Sequence, residues 1–190
     1  MRFIELKKNH FNQVLDISNR TLGNNYLTKE YLNQYLSSEM NLGYVIVKQE
    51  KVIGFTSITI LTPTQLKDTV LKESKWFYEI SKTHKNIALR KQTIVDPNSM
   101  NQGFGNKLVE LSTKEVGKIC DFQLSTVWKN EEAAIMGNLL IKNGFKLCKK
   151  IANYWSEDSS LKNYQCPICG NPPCKCVTEV YIKKNAPDTI

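Results

Sequence analysis

No stretch of this 190-residue chain approaches the roughly 18 consecutive apolar residues that a membrane span needs. The opening, MRFIELKKNHFNQVLDISNR, lacks an apolar segment behind a basic head. Neither an anchor nor a leader is expected, and the expected location is cytoplasmic. Internal repeats and low-complexity segments are missing too, which leaves an ordinary globular chain, long enough to bury a core without disulfides. Histidine is scarce: His10 and His84 are the only two, and each reads as a surface or helix-start residue rather than a catalyst. Acidic residues are outnumbered 18 to 26, for a formal net charge of +8. That balance suits a polyanionic partner, whether nucleic acid, a membrane surface or a phosphate-rich cofactor.

What is present alternates between the strand and helix periods. RFIEL reads as a strand, HFNQVLDISNR and LTKEYLNQYLSS as helices, the second with Thr28 as its N-cap. GYVIVKQEKVIGFTSITIL holds two β-branched runs around Gln49-Glu50-Lys51, a hairpin in which Gly54 predicts a bulge or a close backbone approach. Residues 62–85 read as a helical insertion, with Val70, Leu71, Phe77 and Ile80 on one face. Its aromatic run Trp76-Phe77-Tyr78 suits an acceptor pocket, a dimer contact or plain packing. NIALRKQTIV is a strand stopped at Pro97, followed by a helix from the glycines near 103–105, the strand FQLSTVW, a helix ending at Gly144, the strand KLCKKIANYW and a final strand VTEVYIKK. The order βααββ(insert)βαβαβ(cysteines)β describes one mixed α/β domain, 1–190.

The stretch TIVDPNSMNQGFGNKLVEL joins a strand to an amphipathic helix through Gly103 and Gly105. Unpaired N–H groups at a helix N-terminus, with the positive end of the macrodipole, make a phosphate cradle, and glycines let an anion approach the backbone. A mononucleotide P-loop would need Lys-Ser/Thr after the second glycine, and a dinucleotide fingerprint a third glycine; both are missing. The stretch, with the following strand, Asn130, helix and NGF, resembles the GNAT superfamily of N-acetyltransferases. The family pattern Q/R-x-x-G-x-G/A falls on Met100 to Gly105, and the element order agrees along nearly the whole chain.

The resemblance implies a GNAT-like acyl-CoA N-acyltransferase fold that binds acetyl-CoA. Thr93, Ile94 and Val95 would lie on a splayed strand pairing with the amide arm of acetyl-CoA. Asn101, Gln102, Gly103, Phe104, Gly105 and Asn106 would offer backbone N–H groups to its pyrophosphate, and Asn130 would contact the pantetheine arm. The acceptor would be a primary amine on a small molecule or peptide, and a homodimer is compatible. The chain also departs from the pattern. Met100 stands where Gln or Arg is usual, Leu140 where many relatives carry a catalytic tyrosine, and neither NIALRKQTIV nor FQLSTVW carries an acid. Tyr154, expected on the strand after the last helix, is the candidate catalytic acid or base, with packing against Trp155 as its plain alternative.

Six cysteines remain. Cys120 and Cys148 are isolated and read as buried small hydrophobes. CPICGNPPCKC sets Cys166, Cys169, Cys174 and Cys176 in C-x2-C-x4-C-x-C spacing, which points to one tetrahedral Zn²⁺ ahead of a disulfide, a redox pair or an iron–sulfur cluster. Four thiolates leave no open position, so the metal is expected to be structural, within an insertion at 157–176. Two other functions stay open: a non-catalytic acyl-CoA or ligand sensor on the same fold, and a zinc-dependent nucleic-acid module. The second is disfavoured because only Lys175 lies inside the cluster.

Overall fold

The computed structural model describes residues 1–70, 72–129 and 133–185. In chain order the elements are β1 (Arg2–Glu5), α1 (Phe11–Thr21), α2 (Lys29–Tyr35), β2 (Asn41–Lys48), β3 (Lys51–Leu61), α3 (Pro63–Thr69), α4 (Ser74–Ser81), β4 (Ile87–Val95), α5 (Phe104–Gly117), β5 (Phe122–Lys129), α6 (Ala133–Lys142), β6 (Lys146–Ile151), α7 (Ser156–Lys162) and β7 (Val177–Lys184). The strands form one sheet in the order β1-β2-β3-β4-β5-β7-β6. Among the described residues only β4 and β5 run parallel; the other pairs are antiparallel.

Local chemistry sets several boundaries. Thr28 caps α2 by accepting from Tyr31 N at 3.1 Å. Gln49 and Glu50 turn the β2–β3 hairpin with φ of +49° and +60°, the two positive φ values that a two-residue turn needs to match strand twist. Gly54 fills both expected roles. The β2–β3 register slips beside it, and a Cβ there would meet Leu108 Cδ1 at 2.8 Å. Helices α1 to α4 cover one face of the sheet, α1 and α2 over Val45, Phe55 and Ile94, α3 and α4 over Leu61, Ile87 and Leu124. Helices α5 and α6 cover the other, over Ile46, Ile58 and Val127.

Several expectations change. Two helices, α3 and α4, occupy the segment expected to carry one helical face, and Leu71 lies outside the described residues. In the aromatic run, Phe77 is fully buried against Leu61, Ile87 and Leu124 and edge-on to Trp76. Strand β6 stops at Ile151, because Asn153 takes a left-handed conformation (φ +52°) and accepts from Ser156 N in a tight turn. Cys148 is exposed rather than buried, being the extra residue where the β6–β7 register slips between Leu147 and Lys149. Cys120 is buried as expected. No helix among the described residues is long and apolar enough to cross a membrane.

Candidate active site and candidate metal centre

The parallel β4–β5 pairing is short. It runs from Ile87↔Phe122 to Arg90↔Ser125 and stops, although both strands continue. A bulge accounts for the parting: Ile58 faces Arg90 and Ser57 faces Gln92, so Lys91 is an extra residue on β4. A bulged strand bends and twists away from its neighbour. Beyond Arg90, β4 keeps β3 as a partner and β5 keeps β7, which opens a wedge between β4 and β5. Thr93, Ile94 and Val95 stand on the open edge of that wedge.

At one mouth the chain turns into α5. Asp96 accepts from Asn98 N at 2.9 Å and pairs with Arg20 at 3.0 Å, an ion pair that holds its carboxyl below the usual range. Asn101 (φ +60°) and Gly103 (φ +81°) then make the corner. Gly103 is the N-cap residue, and α5 starts with neither a side-chain cap nor an acid in its first turn. The leading N–H groups and the positive helix end are thus left to an anion. Gly105 lets α6 approach, since a Cβ there would lie 3.2 Å from Leu139 Cδ1, and Asn106 accepts from Asn143 Nδ2 at 3.2 Å. Residues 101 to 106 therefore form one continuous corner. Asn130 lies outside the described residues.

At the apex, on the α5 side, sits a charge that sequence reasoning passed over. Arg90 is 3% exposed, and among the described residues its guanidinium donates to hydroxyls alone: Thr56 (2.9 Å), Ser112 (2.8 Å) and Thr113 (3.1 Å), with Thr93 at 3.4 Å. Its Nε has no partner among the described residues, and burial pushes the group down to about 10. A buried cation without a carboxylate is costly, and nothing in the residue pattern of β4 marks it.

The other mouth opens into a cavity of about 360 Å³ between the α1–α2 loop, the end of α3 and the segment after β6. Tyr154 lines it from the turn after β6, not from a strand, and also packs edge-on against Trp155 at 5.2 Å. Burial, then Asp158 and Tyr26, raise its phenol above the ordinary 10, so it is protonated and able to donate. Lys91 reaches the same cavity from the bulge, and burial and the Lys162 charge push its ammonium down. Asp158 is held by Lys162 at 2.6 Å. Sequence reasoning missed this trio. The acid early and lysine late in SEDSSLK were the available signal for α7. Leu140 is fully buried among Val109, Val127 and Phe145, and can take no part in proton transfer. His10 accepts from Lys7 N and closes a 3-10 turn before α1, while His84 contacts Asp121 and stacks on Phe122.

The four clustered cysteines converge. All four Sγ atoms lie within 4.8 Å of one another, and no disulfide joins them. Tetrahedral bonds of about 2.3 Å put sulfurs about 3.8 Å apart; Cys166 and Cys176 stand at 3.8 Å, Cys169 and Cys176 at 3.4 Å. Ile168 N, Cys169 N and Lys175 N donate to sulfur, and Gly170 (φ +75°) turns the first knuckle through paired bonds with Cys166. The buried indole of Trp128 packs against the cluster with its N–H toward Cys176. This donor set fits a single thiophilic metal ion. The clip is braced on both sides: Cys174 N donates to Ser159 Oγ of α7 at 2.8 Å, and Gly23 of the α1–α2 loop presses on the Gln165 backbone. Two cavity walls therefore rest on it.

No family model and no curated protein matches the sequence. Solved structures do match in fold. The ribosomal-protein-S18-alanine N-acetyltransferase of Escherichia coli superposes with a TM-score of 0.68 at 15% identity, covering 100% of this chain and 97% of that one. Arabidopsis thaliana NAA60 in complex with a bisubstrate analogue gives 0.68 at 11%, covering 96% and 97%. The GNAT-like decarboxylase GphF in complex with isobutyryl-CoA gives 0.69 at 12%, covering 98% and 100%. The chain has the GNAT acyltransferase fold.

Proposed function

We propose that the chain transfers the acetyl group of acetyl-CoA to a primary amine. The observation that carries this reading is the wedge at Arg90 and Ser125, with an uncapped helix corner at one mouth and a tyrosine-lined cavity at the other. Backbone N–H groups of Asn101, Gln102, Gly103, Phe104, Gly105 and Asn106 would hold the pyrophosphate, and the open edge of Thr93, Ile94 and Val95 the amide arm. Asn130 belongs to the same proposal through its sequence position alone.

The neutral amine attacks the carbonyl carbon, the C–S bond breaks, the thiolate takes a proton from the donor, and the proton that the nitrogen sheds passes to solvent and restores that donor. Holding amine and thioester together supplies much of the rate, and strand N–H groups aimed at the carbonyl oxygen add oxyanion stabilisation. Tyr154 is the proposed proton donor. Cys166, Cys169, Cys174 and Cys176 would hold Zn²⁺, whose chemistry there is cross-linking alone. A cytoplasmic, reducing setting, which keeps the four thiols free for metal, belongs to the same reading. Titration calorimetry with acetyl-CoA and coenzyme A tests it, and an absence of heat with both would refute it.

A second reading, a non-catalytic acyl-CoA sensor, is favoured by the burial of Leu140 and by β4 and β5 carrying no carboxylate. Amine-dependent release of free thiol separates the two: the enzyme shows it and the sensor does not.

A further inference from the structure

The charges of the cavity do not cancel. Its charged wall residues are Lys91, Asp158 and Lys162. Asp158 is already taken by Lys162 at 2.6 Å, which leaves Lys91 without an ion-pair partner among the described residues. Lys91 follows Leu89 onto the cavity side of β4, and as the extra residue it has no counterpart on β3, so Gln92 joins it on that side. Around the two ammonium groups stand Tyr26, Tyr31 and Tyr154, whose rings lower the local dielectric and leave an unmatched charge poorly screened.

A cationic acceptor would be repelled here, and only the neutral amine can attack. A group of opposite sign on the acceptor would match Lys91 and repay its desolvation. Resting on the acetyltransferase reading, we infer that the acceptor is a small primary amine bearing an anionic oxygen group, a carboxylate or a phosphate, held by Lys91 with Lys162 while the tyrosines flank its body. At about 30 Å³ per water-sized group, the cavity takes a body of about a dozen such groups. Polyamines and multiply cationic aminoglycosides fall outside this class.

The test uses pairs that differ by one anionic group, with kcat/KM expressed per neutral amine: phenylalanine against phenylalaninamide for the carboxylate source, glucosamine 6-phosphate against glucosamine for the phosphate source, with spermidine as the cationic extreme. Thiol release should favour the anionic member of at least one pair about tenfold or more in kcat/KM, the scale of one charge-assisted hydrogen bond; the pair that shows it names the source. Lys91→Gln should collapse that ratio to within about threefold, Lys91→Arg should keep it, and both should bind acetyl-CoA like the parent in calorimetry, which also shows that they fold. Neutral members or spermidine used as well as the anionic ones, or a ratio unchanged in Lys91→Gln, would overturn the inference. If acetyl-CoA binds but no amine releases thiol, the melting-temperature shift given by the same pairs reads the charge preference directly. Equal shifts then sink the inference, whereas missing acetyl-CoA heat sinks the acetyltransferase reading.

Discussion

Two glycines with similar backbones and different surroundings allow the clip's contact with the cavity wall to be weighed. Gly23 has φ +100° and Gly103 φ +81°. A left-handed conformation costs an alanine about 1–2 kcal/mol, and Gly103→Ala should lose that alone, because nothing lies within 4 Å of its added Cβ. At Gly23 the Cβ would fall well inside contact distance of the Gln165 carbonyl oxygen and lie 3.4 Å from Pro167 Cδ. An ordinary C···O separation would require the α1–α2 loop to part from the clip by on the order of 1 Å. That movement pulls Tyr26 from its edge-on contact with Tyr164, now 5.0 Å between centroids, and such a pair is worth about 0.5–1.5 kcal/mol. Gly23→Ala should therefore lose about 2–3 kcal/mol, or about 5–10 °C in melting temperature. Urea unfolding of both variants with equal m-values reads the difference. Acceptor KM should rise in Gly23→Ala with acetyl-CoA affinity kept, and the reverse should hold for Gly103→Ala. If Gly23→Ala is no less stable than Gly103→Ala, the clip does not brace the loop.

Purified protein should carry one zinc per chain by metal analysis. Cys169→Ser should lose it and lower acceptor kcat/KM by about tenfold (about 1.4 kcal/mol) while acetyl-CoA affinity stays within about threefold; equal losses would make the clip purely structural. Leu140→Tyr should destabilise the fold by about 1–3 kcal/mol, since the site is fully buried and a larger side chain overpacks it, and it should bring no gain in turnover. Stability should fall above pH 10. Burial raises the phenols of Tyr26, Tyr35, Tyr154 and Tyr164 above their ordinary 10, so the unfolded chain releases protons there that the folded chain keeps. Denaturant midpoints from pH 8 to 11 check this, and a flat profile above 10 would contradict it.

Local signals were legible in the sequence because they rest on short-range physics. The period of apolar residues marked the strands and the longer helices, the glycine corner announced the α5 N-terminus, and cysteine spacing brought four sulfurs together. What escaped depends on register. The wedge exists because Lys91 is an extra residue against β3, and a bulge leaves no mark in the sequence of one strand. Arg90 begins the polar triplet Arg90-Lys91-Gln92 after Ile87-Ala88-Leu89, and is buried by hydroxyls from β3 and α5 that no spacing rule connects. Tyr154 was expected on a strand because KLCKKIANYW has no breaker before Asn153, whose left-handed turn ends the run. Helix α7 is short, its Leu161 is exposed, and the residue it buries is Ser159, which accepts from Cys174 N of the clip.

The strand order carries a consequence for how the chain is made. Strand β7 lies between β5 and β6 and pairs with both, from Phe122↔Lys184 to Lys129↔Val177 on one side and from Lys146↔Ile182 to Ile151↔Thr178 on the other. Until it arrives during synthesis, one edge of β5 is open and β6 has no neighbour in the sheet. A metal that gathers Cys166 to Cys176 as they leave the ribosome shortens the connection 152–176 before β7 docks, lowering the entropy lost when that loop closes. Metal supply during translation would then set the yield of folded protein, even where the finished sheet tolerates a chelator.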